Sequence, residues 1–174
     1  MQTSFTDKQL LDKDNKSSES ILRKCVHCGM CNATCPTFCV NGEELEGPRG
    51  RIYLIKDMLE NKKPANKKVV KHIDSCLSCY SCMTTCPSGV NYMHLIDHGR
   101  NYVEETYKRP FFDRLFRNVL SFVLPRPKVF LALAYLSKLI KPFSFLLPTF
   151  LKNSLNLMPN KIPSKKIETQ KIYK

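Results

Sequence analysis

Apolar residues recur at helical rather than alternating spacing along most of this chain, and polar or proline-marked breaks separate the stretches that carry them. Residues 1–17 are rich in Lys, Asp, Asn and Ser without apolar periodicity, which predicts a loose, disordered terminus with no function. Ser18 or Ser20 then caps a short helix through Ile21 and Leu22. After a glycine-marked loop from Gly42 to Arg51, the positions Ile52, Leu54, Ile55, Met58 and Leu59 form one face of an amphipathic helix. Asn61–Lys68 is a lysine-rich break with a central proline, and Val69, Val70 and Ile73 predict a further short helix. Tyr92, Leu95, Ile96, Tyr102, Val103 and Tyr107 predict a helix that stops near Pro110. Strand signals are weak throughout, so the pattern predicts an all-α fold.

The pattern changes at residue 111. Phe111, Phe112, Leu115, Phe116, Val119, Leu120 and Val123 line one helix face, and Asp113, Arg114, Arg117, Asn118 and Ser121 line the other. A second helix is expected over Lys128–Lys141 and a third, shorter one near Thr149–Leu157, with a basic, patternless tail from Pro159 to Lys174. Pro125, Arg126, Pro127, Lys128, Lys141 and Pro142 interrupt the apolar run before it reaches the roughly 18 residues of a membrane span. These helices have three readings, with a subunit interface or a connector to another domain ahead of a membrane-surface amphipath.

The gaps between the first helices hold the chemistry. Cys25, Cys28, Cys31 and Cys35 and then Cys76, Cys79, Cys82 and Cys86 repeat the spacing C-x-x-C-x-x-C-x-x-x-C-P, closed by Pro36 and Pro87. Each block sits between helices, so the two form an internal repeat about fifty residues apart. Three cysteines two residues apart let one tight loop wrap three corners of a four-iron cubane, and in two-cluster proteins of this pattern the fourth cysteine ligates the other cluster. That assigns Cys25, Cys28, Cys31 and Cys86 to one [4Fe–4S] cluster and Cys76, Cys79, Cys82 and Cys35 to a second, which suggests an electron wire. A disulfide framework fits poorly, because residues 1–20 hold no apolar leader and a reducing, cytoplasmic location is expected. Zinc is the competing metal, but zinc ligands come as pairs summing to four, and two triads with a fourth cysteine each overshoot that number.

Composition alters this picture little. Of nine cysteines, Cys39 fits neither motif and is expected to be a buried or half-buried small side chain. His27, His72, His94 and His98 are expected to pack or to lie on the surface, since eight cysteines already fill the cluster positions. The formal charge of +13 stays basic after two anionic clusters are added, leaving acidic proteins and anionic membranes open as partners. A nucleic-acid partner is not expected, since no RNA-binding aromatic motif or basic recognition helix accompanies the charge. For Arg49 and Arg51 two readings stand: they flank a cluster and raise its potential, or they are solvated residues in a turn leading into a helix. No substrate base, nucleophile motif or phosphate-binding loop is present.

The residues Cys25-Val-His-Cys-Gly-Met-Cys-Asn-Ala-Thr-Cys-Pro, Gly47-Pro-Arg-Gly-Arg-Ile-Tyr-Leu-Ile-Lys and Cys76-Leu-Ser-Cys-Tyr-Ser-Cys-Met-Thr-Thr-Cys-Pro resemble the iron–sulfur subunit of bacterial glycolate oxidase. Asp97-His-Gly-Arg, Arg109-Pro-Phe-Phe-Asp-Arg-Leu and Val123-Leu-Pro-Arg-Pro extend the resemblance over roughly residues 20 to 160. It implies an α-helical ferredoxin domain over 18–109, a helical connector or interface over 110–158 and a flexible tail over 159–174. It also implies flavin-binding partner subunits that hold FAD and oxidise glycolate to glyoxylate. This chain would pass electrons to a quinone or another acceptor, with peripheral membrane association allowed. The corresponding subunits of lactate, glycerol 3-phosphate or heterodisulfide oxidoreductases carry similar motifs and form the alternative, as does a free ferredoxin-like carrier. Members of the resembled family continue into a region of repeated Cys-Cys-Gly motifs that this sequence lacks. The chain then reads as a truncated product, a shorter functional variant, or half of a split subunit whose other half is a separate chain.

Overall fold

The computed structural model describes residues 1–140 and Asn153, and these are helical without a strand among them. The chain divides into two compact units, Met1–Lys108 and Arg109–Lys174. The helix expected near 149–157, Asn153 apart, and the tail from 159 lie outside the described residues.

In the first unit the elements are α1 (Asp7–Leu10), α2 (Lys13–Lys24), α3 (Pro36–Asn41), α4 (Pro48–Asn61), α5 (Lys67–Asp74), α6 (Ser81–Thr84) and α7 (Tyr92–Thr106), with 3₁₀ turns at Met30–Asn32 and Glu44–Glu46. Helices α2, α4 and α5 all pack on α7, and Leu22, Ile55, Ile73, Leu95, Ile96 and Val103 are buried where they meet. Local chemistry sets the helix starts. Asn66 and Asn91 accept the N–H groups of Val69 (3.0 Å) and His94 (3.3 Å) as side-chain caps. Pro48 opens α4, where its missing N–H costs nothing.

The turn before α4 is held by close backbone approach. A Cβ on Gly50 would lie 2.3 Å from the Glu44 carbonyl oxygen, and one on Gly47 would lie 2.5 Å from Asn32 Oδ1. Only glycine lets the 44–46 turn and the start of α4 nest against the first cysteine loop.

The loose terminus expected over residues 1–17 is instead folded. Gln9 closes a capping box with Thr6, is buried, and donates its side-chain amide to the carbonyls of Leu59 (2.8 Å) and Glu60 (3.1 Å) at the end of α4. Asp12 caps α2, which begins at Lys13, and Met1 and Phe5 pack against the core. Hydrogen bonds to carbonyls at a helix C-terminus anchor this segment. Such anchors leave no apolar period to detect.

The second unit contains α8 (Phe111–Val123) and α9 (Pro127–Ile140), close to the spans expected from their apolar faces. Phe111, Phe112, Phe116 and Phe122 are exposed, whereas Ala134 is buried. No single described helix is long and apolar enough to cross a membrane, and α8 and α9 are bent by 113° at the proline-marked break between them.

Candidate metal centres

Both cysteine loops are built on the same backbone. The residue before the second cysteine of each motif is left-handed (His27, φ 59°; Ser78, φ 52°), and so is the residue after it (Gly29, φ 85°; Tyr80, φ 57°). These alternations curl each loop, and its first three cysteines line one cavity. A turn then follows in each: Asn32 N–H donates to Gly29 O and Met83 N–H to Tyr80 O, both at 2.9 Å. Next, Cys35 N–H donates to Asn32 O (3.1 Å) and Cys86 N–H to Met83 O (3.3 Å). Pro36 begins α3 immediately after Cys35.

Two cavities lie at these loops. The first, of about 450 Å³ and open to solvent, is lined by Cys25, Cys28 and Cys31 of the first motif and by Cys82 and Cys86 of the second, with His27, Gly29 and Arg49 at its edge. The second, of about 290 Å³, is lined by Cys76, Cys79 and Cys82 together with Cys35 of the first motif. Pro48, Cys82 and Tyr92 border both. Each cavity therefore draws sulfurs from both halves of the repeat.

The thiols sense one another. Burial, followed by the neighbouring Cys25, pushes the Cys31 thiol up to about 11, with Cys86 and Cys28 adding to the effect. Burial pushes Cys82 up to about 12, with Cys31, Cys35, Cys76 and Cys79 contributing. Backbone and side-chain hydrogen bonds from Ser81 act oppositely on Cys79 and hold it below the ordinary thiol range. Crowded sulfurs that resist ionisation until a cation arrives are a donor set for soft metal. All nine cysteines are free thiols, so no disulfide competes for them. With Cys82, which borders both, counted in the second, four cysteines line each cavity, a number that suits a four-iron cubane.

Arg51 departs from the solvated reading. It is 1 % exposed, and its guanidinium donates to His72 O (2.7 Å), Thr37 Oγ1 (3.0 Å), Glu46 Oε2 (3.0 Å) and Ser75 Oγ (2.9 Å). Its remaining nitrogen, Nη1, lies 3.9 Å from Cys35 Sγ. Burial pushes the Glu46 carboxyl up, but hydrogen bonds from Ser75 and His72 and the charge of Arg51 outweigh it and hold Glu46 below the usual carboxylate range. Glu43, Glu46 and His72 bring possible ligand atoms within 4.8 Å of one another, but the guanidinium of Arg51 takes up Glu46 Oε2 in an ion pair. Arg49 is half-exposed and pairs with Glu44 at 3.4 Å.

Three of the histidines make side-chain contacts. His27 stands edge-on to Tyr53 with ring centroids 6.0 Å apart, His72 Nδ1 donates to the Glu46 carboxylate at 2.7 Å, and His98 meets Ser18 at 2.7 Å. Cys39 is exposed rather than buried, with Sγ 3.5 Å from Ala33 O, and lines neither cavity. It sits on the short helix α3, whose residues are nowhere buried. Tyr92 was not signalled by the sequence as a site residue. Its place at the start of α7 points its hydroxyl at Cys76 Sγ, 3.7 Å away.

Residues 21–90 match the 4Fe–4S dicluster domain family, so this helical unit is an iron–sulfur domain whose cofactors are 4Fe–4S clusters. The chain is similar over 82 % of its length to the glycolate oxidase iron–sulfur subunit of Escherichia coli, with 50 % identity over 143 residues, which are 35 % of that protein. It is also similar to a probable glycolate oxidase iron–sulfur subunit of Bacillus subtilis, with 32 % identity over 64 % of this chain and 26 % of that protein. A mitochondrial succinate dehydrogenase iron–sulfur subunit of Candida glabrata shares 27 % identity over 45 % of this chain and 33 % of its own length. The chain thus spans about a third of the length of these relatives. No solved structure matches it.

Proposed function

We propose that this chain is an electron-transfer subunit of a glycolate-oxidising complex, with one cluster site formed by Cys25, Cys28, Cys31 and Cys86 and the other by Cys76, Cys79, Cys82 and Cys35. The observation that carries the proposal is the crossed lining of the two cavities, each of which takes a cysteine from the opposite motif. A bound 4Fe–4S cluster takes up and releases one electron at a time. The chain's own part is to hold two such groups side by side across the wall of Pro48, Cys82 and Tyr92. Neither cavity is lined by a carboxylate or a lysine, and His27, at the edge of the first, is packed against Tyr53. Glycolate oxidation to glyoxylate therefore belongs to a flavin-holding partner, and a quinone or similar acceptor takes the electrons onward. The identity with glycolate oxidase subunits supports glycolate over lactate or glycerol 3-phosphate.

The test is anaerobic purification from the native cells, with iron analysis and electron paramagnetic resonance before and after glycolate is added. About eight irons per chain and signals that grow with glycolate are expected. In the Cys35→Ala variant the signal of the Cys76, Cys79 and Cys82 site should be lost; loss of the other signal alone would refute the exchange of ligands. Clusters that stay oxidised with glycolate but respond to lactate or glycerol 3-phosphate would move the substrate assignment to a sister complex.

A further inference from the structure

We infer that the two sites differ in electron affinity, the site of Cys35, Cys76, Cys79 and Cys82 being the higher in potential, because this chain aims side-chain hydrogen bonds at its sulfurs and not at those of its neighbour. The inference rests on the ligand grouping proposed above.

A cluster gains negative charge on reduction, much of it on sulfur, so donors fixed on the ligand sulfurs stabilise the reduced form and raise the potential. Two of the four sulfurs at the second site have such a donor. Arg51 Nη1 approaches Cys35 Sγ at 3.9 Å, and the Tyr92 hydroxyl approaches Cys76 Sγ at 3.7 Å. Neither donor can turn to water. Tyr92 is 4 % exposed, and the other guanidinium nitrogens of Arg51 are tied to four partners. Glu46 balances the Arg51 charge, so what reaches Cys35 is an oriented N–H rather than a free cation.

Among the described residues, no side chain donates a hydrogen bond to the sulfurs of Cys25, Cys28, Cys31 or Cys86. The positive groups nearby are directed elsewhere. Arg49 is 41 % exposed and pairs with Glu44, where solvent screens it, and the Met1 ammonium donates to the carbonyls of Leu22, Arg23 and Cys25. The first electron taken up by the loaded chain should therefore rest at the second site, and an electron arriving at the first should pass inward to it.

The experiment is a dithionite titration of the reconstituted full chain, followed by electron paramagnetic resonance, which reads two one-electron midpoints. Cys28→Ser and Cys79→Ser, both at exposed cysteines, assign the midpoints, since each should alter or abolish only the step of its own site. The upper step is expected to respond to Cys79→Ser and the lower to Cys28→Ser. Tyr92→Phe and Arg51→Lys should each reduce the electron affinity of the upper step by up to tenfold, about 59 mV for a one-electron couple, with iron content and the lower step unchanged. Arg51→Lys keeps a cation beside Glu46 while removing the Nη1 donor, so it tests the inference even where Tyr92→Phe disturbs packing. An upper step that follows Cys28→Ser, or midpoints unmoved by both donor variants, would overturn the inference while leaving the ligand grouping intact. Serine variants that each change both steps would overturn the grouping, and the inference with it.

Discussion

Gly99 on α7 lies so close to Ile55 on α4 that a Cβ at Gly99 would stand 2.8 Å from Ile55 Cγ1 and 3.0 Å from its Cδ1. Both residues are buried, and Ile55 is wholly so. Helix α7 receives α2, α4 and α5, so this contact sets the spacing of the helices that carry the cysteine loops. Gly99→Ala should overpack the crossing and cost about 1–3 kcal/mol, measured as a lowered denaturant midpoint of the loaded chain. An unchanged midpoint would mean that Ile55 can rotate away at no cost.

The buried Arg51–Glu46 pair should be expensive to break from one side. Arg51→Met leaves the Glu46 carboxylate buried without its guanidinium, and removal of one partner of a buried pair costs about 3–5 kcal/mol. Changing Glu46 to Met as well removes the orphaned charge, so the double variant should be more stable than Arg51→Met alone. A double-mutant cycle by chemical denaturation measures the coupling, and a double variant less stable than the single would contradict this account.

Gly29 and Gly42 separate backbone strain from damage at the metal site. Both have positive φ (85° and 66°), and a Cβ at Gly42 would meet nothing within 4 Å, whereas one at Gly29 would meet Arg49 Nη1 at 3.2 Å. Alanine at either should cost about 1–2 kcal/mol of left-handed strain, because the end of the arginine can yield. Only Gly29→Ala should also speed iron loss from the Cys25, Cys28 and Cys31 loop, followed by absorbance decay under chelator. Equal decay rates in the two variants would show that the glycine geometry of the loop does not matter to metal retention.

Cys39→Ser should leave iron content and both resonance signals as they are. The thiol is exposed and outside both cavities. A drop in iron toward half would make it a ligand after all.

The helices of the core were legible because their apolar positions obey one period, as Ile52, Ile55 and Leu59 do in α4 and Leu95, Ile96 and Val103 in α7. The cysteine repeat was legible because the ligation proposed for it imposes spacing directly on the sequence. What escaped was built from polar contacts between distant residues. Gln9 holds the N-terminal segment through carbonyls about fifty positions away, and no local pattern announces it. Arg51 had two readings because a Gly-Pro-Arg-Gly-Arg turn looks the same whether its arginine meets water or the Glu46, Thr37 and Ser75 partners that surround it here. Tyr92 followed the helical period like any core residue, and only the packing of α7 against the second loop turned its hydroxyl toward Cys76.

His98 should make stability depend on pH below neutrality. Its ring lies 2.7 Å from the hydroxyl of Ser18, which is wholly buried on α2, so the contact ties α7 to the helix leading into the first cysteine loop. Burial lowers the His98 pKa from its ordinary 6.5, with His94 acting the same way while Asp14, Asp12 and Glu105 oppose. A histidine whose folded pKa lies below its unfolded value stays neutral in the fold while the unfolded chain takes up a proton. Its contribution is therefore intact above about pH 6.5, the unperturbed value, and is lost as pH falls from there through the lower folded value. Thermal melts of the loaded chain should show a falling midpoint over that interval. His98→Gln, which cannot titrate there, should flatten that part of the curve while lowering the midpoint at neutral pH. A wild-type profile that stays level below pH 6.5, or a variant with the same slope, would assign the acid sensitivity to other groups.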